Sequence, residues 1–240
     1  EPEQFSMEIE SDDHTINPRG SVKTRMTTDI LGIRNRTENW KTANAFSPLF
    51  GGKSRALAQR LTERRIPPGE EIRLELFWSG IRDYLHGTEG PRYIQTDRMI
   101  AFYNARFSDL RLDVDAFGRL RTPADKNYRI SEEPWEKELI SNLRGTEIDV
   151  VLESSNHLFI GEMKHESRLG GNGGLILVHQ LIRQYVTARI LVELTRSGKD
   201  VIPFVVADDP DQMKKTSQVK FMVEKGWMKE RNVLKWQDIA

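Results

Sequence analysis

Residues 145–164 read Gly-Thr-Glu-Ile-Asp-Val-Val-Leu-Glu-Ser-Ser-Asn-His-Leu-Phe-Ile-Gly-Glu-Met-Lys. Two β-prone runs flank Ser154-Ser155-Asn156, and this pattern predicts a hairpin with strands over 147–153 and 157–164. In the first run Ile148, Val150 and Leu152 share one face, which turns Glu147 and Asp149 to the other. In the second, Glu162 and Lys164 are two apart and share a face. A tight turn makes the strands antiparallel neighbours and brings Asp149 beside Glu162 where the register suits. Two carboxylates on a strand pair form a hard, oxygen-rich site suited to Mg²⁺ or Mn²⁺. Without a cation they would repel, and the pKa of one would be driven up. Lys164 adds a point charge for a phosphate oxygen or an activated water.

Upstream, Ser131, Glu132, Glu133 and Pro134 supply an N-cap, an acidic first turn and an early proline, predicting a helix to about Leu143. Downstream, Gly170-Gly171-Asn172-Gly173-Gly174 predicts a flexible connection. The longest helix is expected over 175–196, an apolar strand over 201–207, and short helices over 217–226 and 234–239. Helix, strand, strand, helix, strand is a mixed α/β order. Earlier, Leu110, Leu112 and Val114 alternate with charged residues and predict a further strand. From Met26 to Arg106 the signals are helical. Leu57 and Leu61 lie one turn apart. Leu74, Phe77, Trp78, Ile81 and Leu85 line one helical face of 71–86, and 99–107 predicts another helix. Residues 1–25 show no periodicity and few large apolar side chains. The expected division is therefore a disordered arm (1–25), a mainly helical N-terminal region (26–107) and an α/β core (108–240).

Composition narrows the chemistry. A chain of 240 residues accommodates one large domain, or one with a helical annex. Lys and Arg number 36 and Asp and Glu 36, so bulk positive charge gives no argument for nucleic acid, and only a local basic groove is left. The absence of Cys excludes disulfides, thiolate zinc sites, iron–sulfur clusters and cysteine nucleophiles, and is compatible with a cytoplasmic setting. No segment approaches the roughly 20 apolar residues of a membrane span, and no signal-peptide hydrophobic region is seen. A zinc site built from His157, His165, His179 and Glu162 lacks the paired helical spacing such sites favour. The glycine loop lacks the Gly-Lys-Ser/Thr ending of a phosphate cradle.

Two basic stretches stand out. Lys53, Arg60 and Arg64 share a helical stripe. Residues 212–235 hold seven basic side chains, Lys214 and Lys215 among them, against Glu224 and Glu230. Either could follow a phosphate backbone, although charge runs are commonly solvated faces. Trp227 and Trp236 fit stacking on bases, or anchoring of terminal helices.

Asp149 followed by Glu162-x-Lys164 on a hairpin, with a helix next, resembles the PD-(D/E)xK nuclease superfamily of restriction-endonuclease-like fold. The likeness spans about residues 130–207. It implies a mixed sheet flanked by helices and Mg²⁺- or Mn²⁺-dependent hydrolysis of phosphodiester bonds, with DNA the expected substrate. Asp149 and Glu162 would bind the metal with the Met163 backbone carbonyl, and Lys164 would orient or polarise the attacking water. Gln180 and Gln184 would reach the site or the phosphate from the next helix, Glu136 would join from the preceding one, and His165 would neighbour the metal. Ile148 stands where the superfamily has a leading Pro. The Gln-x-x-x-Tyr element of some branches is not matched, since Gln180 and Tyr185 are five apart. The rival reading is a catalytically dormant nucleic-acid-binding or protein-interaction module of the same fold. The N-terminal helices would supply substrate contacts, a homodimer surface or a partner site, and the sequence does not choose among them.

Overall fold

A computed structural model describes residues 29–31, 33–34, 53–87, 92–116, 135–164, 169 and 179–238. The arm at 1–25, the helix start at 131–134, His165 and the glycine loop at 170–174 lie outside the described residues. A two-residue strand β1 (Asp29–Ile30) pairs antiparallel with β2 (Ile33–Arg34). Then come α1 (Lys53–Thr62), β3 (Arg73–Trp78), α2 (Gly80–Gly87), α3 (Arg92–Ala116) and α4 (Trp135–Arg144). The hairpin is β4 (Ile148–Glu153) and β5 (His157–Lys164), as the sequence pattern predicts. It is followed by α5 (Gln180–Leu194), β6 (Asp200–Ala207), α6 (Pro210–Lys214), α7 (Ser217–Glu224) and β7 (Val233–Lys235).

Five strands form one mixed sheet in the order β3-β4-β5-β6-β7. β3, β4 and β5 pair antiparallel, while β5, β6 and β7 pair parallel. The parallel step from β5 to β6 requires a crossover, which α5 supplies. Helix α5 is buried nearly all round: Leu181, Ile182, Val186, Ala188, Ile190, Leu191 and Leu194 are covered, and so are the polar Arg183, Gln184 and Thr187, as in a helix enclosed on most sides. With α2, α3, α4 and α7 it covers one face of the sheet through Ile81, Tyr103, Leu139, Leu143, Val151, Ile160, Val205 and Met222. On the other face, Leu57 and Leu61 of α1 pack on Leu74, Leu76, Val150, Leu152, Phe159, Phe204 and Leu234.

Three expectations are corrected, the simplest being 234–239, where β7 and a 3-10 turn over Trp236–Asp238 replace the short helix. Residues 71–78 are not helical: β3 runs along β4 with Leu74 opposite Leu152 and Leu76 opposite Val150. The helical spacing of Leu74, Phe77, Trp78, Ile81 and Leu85 arises because a strand passes into a helix almost without a loop. Tertiary pairing overrides local periodicity here. The sheet thus takes one strand from the region read as helical. Residues 110–114 are not a strand either, but continue α3 to Ala116 beyond a non-helical Phe107 (φ −134°, ψ 21°). Phe107 and Leu110 are both buried in the same core, and that burial outweighs the alternation.

Gly161 is required by close approach. It sits in β5 opposite Val150 and beside Phe204, and a Cβ there would lie 2.2 Å from the Phe204 ring. Gly161→Ala is expected to cost about 1–3 kcal/mol by overpacking, measured by urea unfolding. Gly69→Ala, with nothing within 4 Å of its added Cβ, serves as the control. Equal stability of the two variants would refute this account of the β5–β6 contact.

Candidate active site

The sheet carries a local break at Asp149. The β3–β4 register runs Arg73↔Glu153 to Leu76↔Val150 and resumes at Trp78↔Ile148, omitting Phe77 opposite Asp149. The β4–β5 register ends at Val150↔Gly161. Phe77 adopts a left-handed φ of 52°, which a bulky L-residue rarely does. Across this break the side on which side chains point shifts by one. Leu74, Leu76, Val150 and Leu152 face α1, while Trp78 and Ile148 join the opposite core. Asp149 is freed from strict alternation, and its Oδ2 accepts the Met163 backbone N–H at 2.8 Å. That bond replaces the missing rung of the backbone ladder.

Glu162, the next residue of β5 beyond Gly161, is fully buried (0% exposed). Its Oε1 pairs with the Lys164 ammonium, and its Oε2 accepts from Gln184 Nε2 at 2.5 Å. The same Gln184 amide donates to the Glu147 carbonyl at 3.0 Å, so it ties α5 both to β5 and to the residue that leads into β4. One turn earlier, Gln180 Oε1 accepts from Lys164 Nζ at 3.3 Å. Two glutamines four apart on α5 therefore each hold one charged group of β5, as helical spacing allows. At the outer edge, Trp236 Nε1 donates to the Lys164 carbonyl at 3.3 Å.

These groups open on one pocket of about 580 Å³. Asp149, Glu162, Lys164 and Gln180 line its polar end. Leu57, Leu74, Leu76, Val150 and Leu152 form an apolar wall, and Phe77, Met163, Ser54 and Trp236 complete it. Burial raises the Glu162 pKa, and the Asp149 charge raises it further, against the opposing pull of Lys164 and Gln184. Arg183, also buried, feels the Glu162 charge while its own burial lowers its pKa.

Of the predicted residues, Asp149, Glu162, Met163, Lys164 and Gln180 thus meet at one pocket, with Gln184 directly behind Glu162. Glu136 does not join them. It lines a separate depression with Arg82, Lys137 and Arg144, because α4 presents that edge away from the hairpin's polar end. The basic stretches are engaged elsewhere. Arg60 pairs with Asp238 at 3.1 Å, Lys214 pairs with Asp211 at 3.3 Å, and Arg231 and Lys229 both pair with Glu63. Lys214 and Lys215 line a surface depression that shares no residue with the site pocket. Arg64 is exposed, and the Lys53 side chain lies outside the described residues. Trp227 stacks on Tyr185 with ring centroids 4.8 Å apart, so it anchors the C-terminal segment, while Trp236 reaches the pocket. Sequence reading missed Ser54, Leu57 and Phe77 as pocket residues. Nothing in a helical reading of 71–86 would single out Phe77.

Among the described residues no three side chains from His, Cys, Asp and Glu converge as a metal cage. The donor set is two carboxylates on a shared pocket, one of them buried beside the other's charge. This suits Mg²⁺ or Mn²⁺, which are commonly held by one or two carboxylates with water and substrate oxygens. No family model matches this chain, and no curated protein or solved structure matches it significantly.

The electrostatics have a consequence for stability. The Glu162 pKa lies above its ordinary 4.5, so the folded state retains a proton that the unfolded chain releases. The contribution of Glu162 to the stability of the metal-free protein is therefore fully present below that value and is lost as pH rises through the raised one. Asp149→Asn removes the neighbouring charge yet keeps an oxygen for the Met163 N–H. It should stabilise the metal-free protein by roughly 1 kcal/mol near pH 8 and flatten the pH dependence, read by urea unfolding in EDTA. Superimposable wild-type and variant profiles would count against a carboxylate pair at this pocket.

Proposed function

We propose that this protein is a metal-dependent nuclease that hydrolyses phosphodiester bonds in DNA, with a site built on β4 and β5. The observation that carries this reading is the meeting of Asp149, Glu162 and Lys164 at one pocket, backed by Gln180 and Gln184. Helix α4, then the β4–β5 hairpin, then α5 and the parallel β6 is also the element order expected of a restriction-endonuclease-like core.

The residues divide the work by chemistry. Asp149 and Glu162 would hold Mg²⁺ or Mn²⁺, which when bound supplies positive charge against the scissile phosphate and lowers the pKa of water. Gln184, fixed between Glu162 Oε2 and the Glu147 carbonyl, keeps that carboxylate from rotating away. Met163 N–H does the same for Asp149. Lys164 has its ammonium on Glu162 and Gln180, placing a cationic donor at the polar end of the pocket. There it can orient a water or a phosphate oxygen. Seating two carboxylates and one ammonium in a mostly apolar pocket strengthens each interaction relative to water.

The test is hydrolysis of plasmid, linear duplex and single-stranded DNA with Mg²⁺ or Mn²⁺. Cleavage should vanish in EDTA. It should fall at least about 100-fold in Asp149→Asn, Glu162→Gln and Lys164→Ala, and about five- to tenfold in Gln180→Ala, which loses one hydrogen bond. Cleavage that survives unchanged in Asp149→Asn would refute the assignment. Metal-dependent binding of DNA without cleavage would favour the dormant binding module instead.

A further inference from the structure

The nuclease site needs only acids, a cation and a lysine, yet it opens into a chamber far more apolar than a phosphate requires. Its wall is Leu57, Leu74, Leu76, Val150 and Leu152, with the rings of Phe77 and Trp236 also lining it. Its volume, about 580 Å³, falls within the roughly 300–1,000 Å³ of sites that enclose a small organic group. A duplex presents phosphates outward and keeps its base faces stacked, so it has nothing apolar to place there. An unpaired nucleotide does: its base is flat, aromatic and apolar on both faces, and is joined to a phosphate that would reach the polar end.

Phe77 gives this chamber a particular character. It stands opposite Asp149 at the gap in the β3–β4 register and holds a left-handed backbone conformation that bulky residues rarely adopt. It is also one of two large apolar side chains that the described residues expose, at 37%. An exposed aromatic ring carried on a strained backbone and set at the pocket beside the acids is placed for stacking. Across the site, Trp236 is tethered by its indole N–H to the carbonyl of Lys164 itself. Its own 3-10 turn, Trp236–Asp238, is fastened to α1 by Arg60 and Asp238.

We propose that the apolar chamber is a nucleobase subsite, lined by Phe77 and Trp236, and that the preferred substrate is single-stranded or locally unpaired nucleic acid. One unpaired base enters the chamber while the adjoining phosphodiester meets Asp149, Glu162 and Lys164. This specificity rests on the nuclease reading above, but its failure and that of the reading are distinguishable.

The experiment compares three fluorescein-labelled substrates: a single strand, its blunt duplex, and the single strand with one abasic tetrahydrofuran residue. Cleavage is followed with Mn²⁺, and binding by anisotropy with Ca²⁺ in place of Mn²⁺. The single strand should be bound and cut at least about tenfold better than the duplex, the scale of stacking one base. The linkage beside the abasic residue should resist cleavage. Phe77→Gly suits the left-handed backbone, so it should leave the melting midpoint unlowered. Its single-strand affinity should nevertheless drop about tenfold, and Phe77→Trp should retain affinity. Equal handling of single strand, duplex and abasic substrate, with Asp149→Asn still inactive, would overturn the base subsite and leave the nuclease standing. Equal cleavage by wild type and Asp149→Asn would remove the nuclease reading. The base subsite would then be judged by anisotropy alone, and unchanged affinity in Phe77→Gly would overturn it too.

Discussion

Two carboxylates of like charge share one pocket wall, and the rest of this site is arranged around their repulsion. Asp149 and Glu162 come from adjacent strands, and Glu162 is wholly removed from solvent. A buried, uncompensated anion would be costly, so every nearby polar group bears on it. The Lys164 ammonium and the Gln184 amide stabilise the charged form of Glu162, while burial and Asp149 disfavour it. The balance leaves a carboxyl whose pKa is raised in the isolated chain. A divalent cation between the two acids would reverse that balance.

Backbone geometry makes this juxtaposition feasible. In an uninterrupted sheet, alternation would commit each side chain of β4 to one face. The gap at Phe77 and Asp149 suspends that rule for one residue, and the Met163 N–H takes the Asp149 carboxylate in place of a ladder partner. Strain at Phe77 and a side-chain bond at Asp149 are two aspects of one local departure from regular sheet. Such departures commonly accompany functional sites, where a side chain must be re-aimed. Around the break the packing is tight. Phe204 lies over Gly161, and Gly80 admits no Cβ between Trp78 and Leu191.

Much of the hairpin and the site was legible because its signals are local. Alternating apolar residues around Ser154-Ser155-Asn156 identify both strands, and Glu162-x-Lys164 share a face at any register. The reading of 71–78 failed for the opposite reason. Whether Leu74 and Leu76 form a strand depends on Val150 and Leu152, more than seventy positions away, and no local window contains that pairing. Glu136 was a candidate through the family resemblance, and the basic stretches on charge and periodicity alone. Their partners, such as Asp238 for Arg60 and Glu63 for Arg231, come from remote parts of the chain.

By itself, the order of residues determined a mixed α/β protein without cysteine chemistry, and a hairpin bearing two acids and a lysine. Those properties follow from composition and from periods of two and 3.6 residues, which act over a few neighbours. Tertiary structure decided that β3 completes the sheet, that Asp149 escapes strict alternation, and that α1, Phe77 and Trp236 enclose an apolar chamber beside the acids. Each depends on which distant segments pack together, and packing is settled by the burial of the whole chain at once.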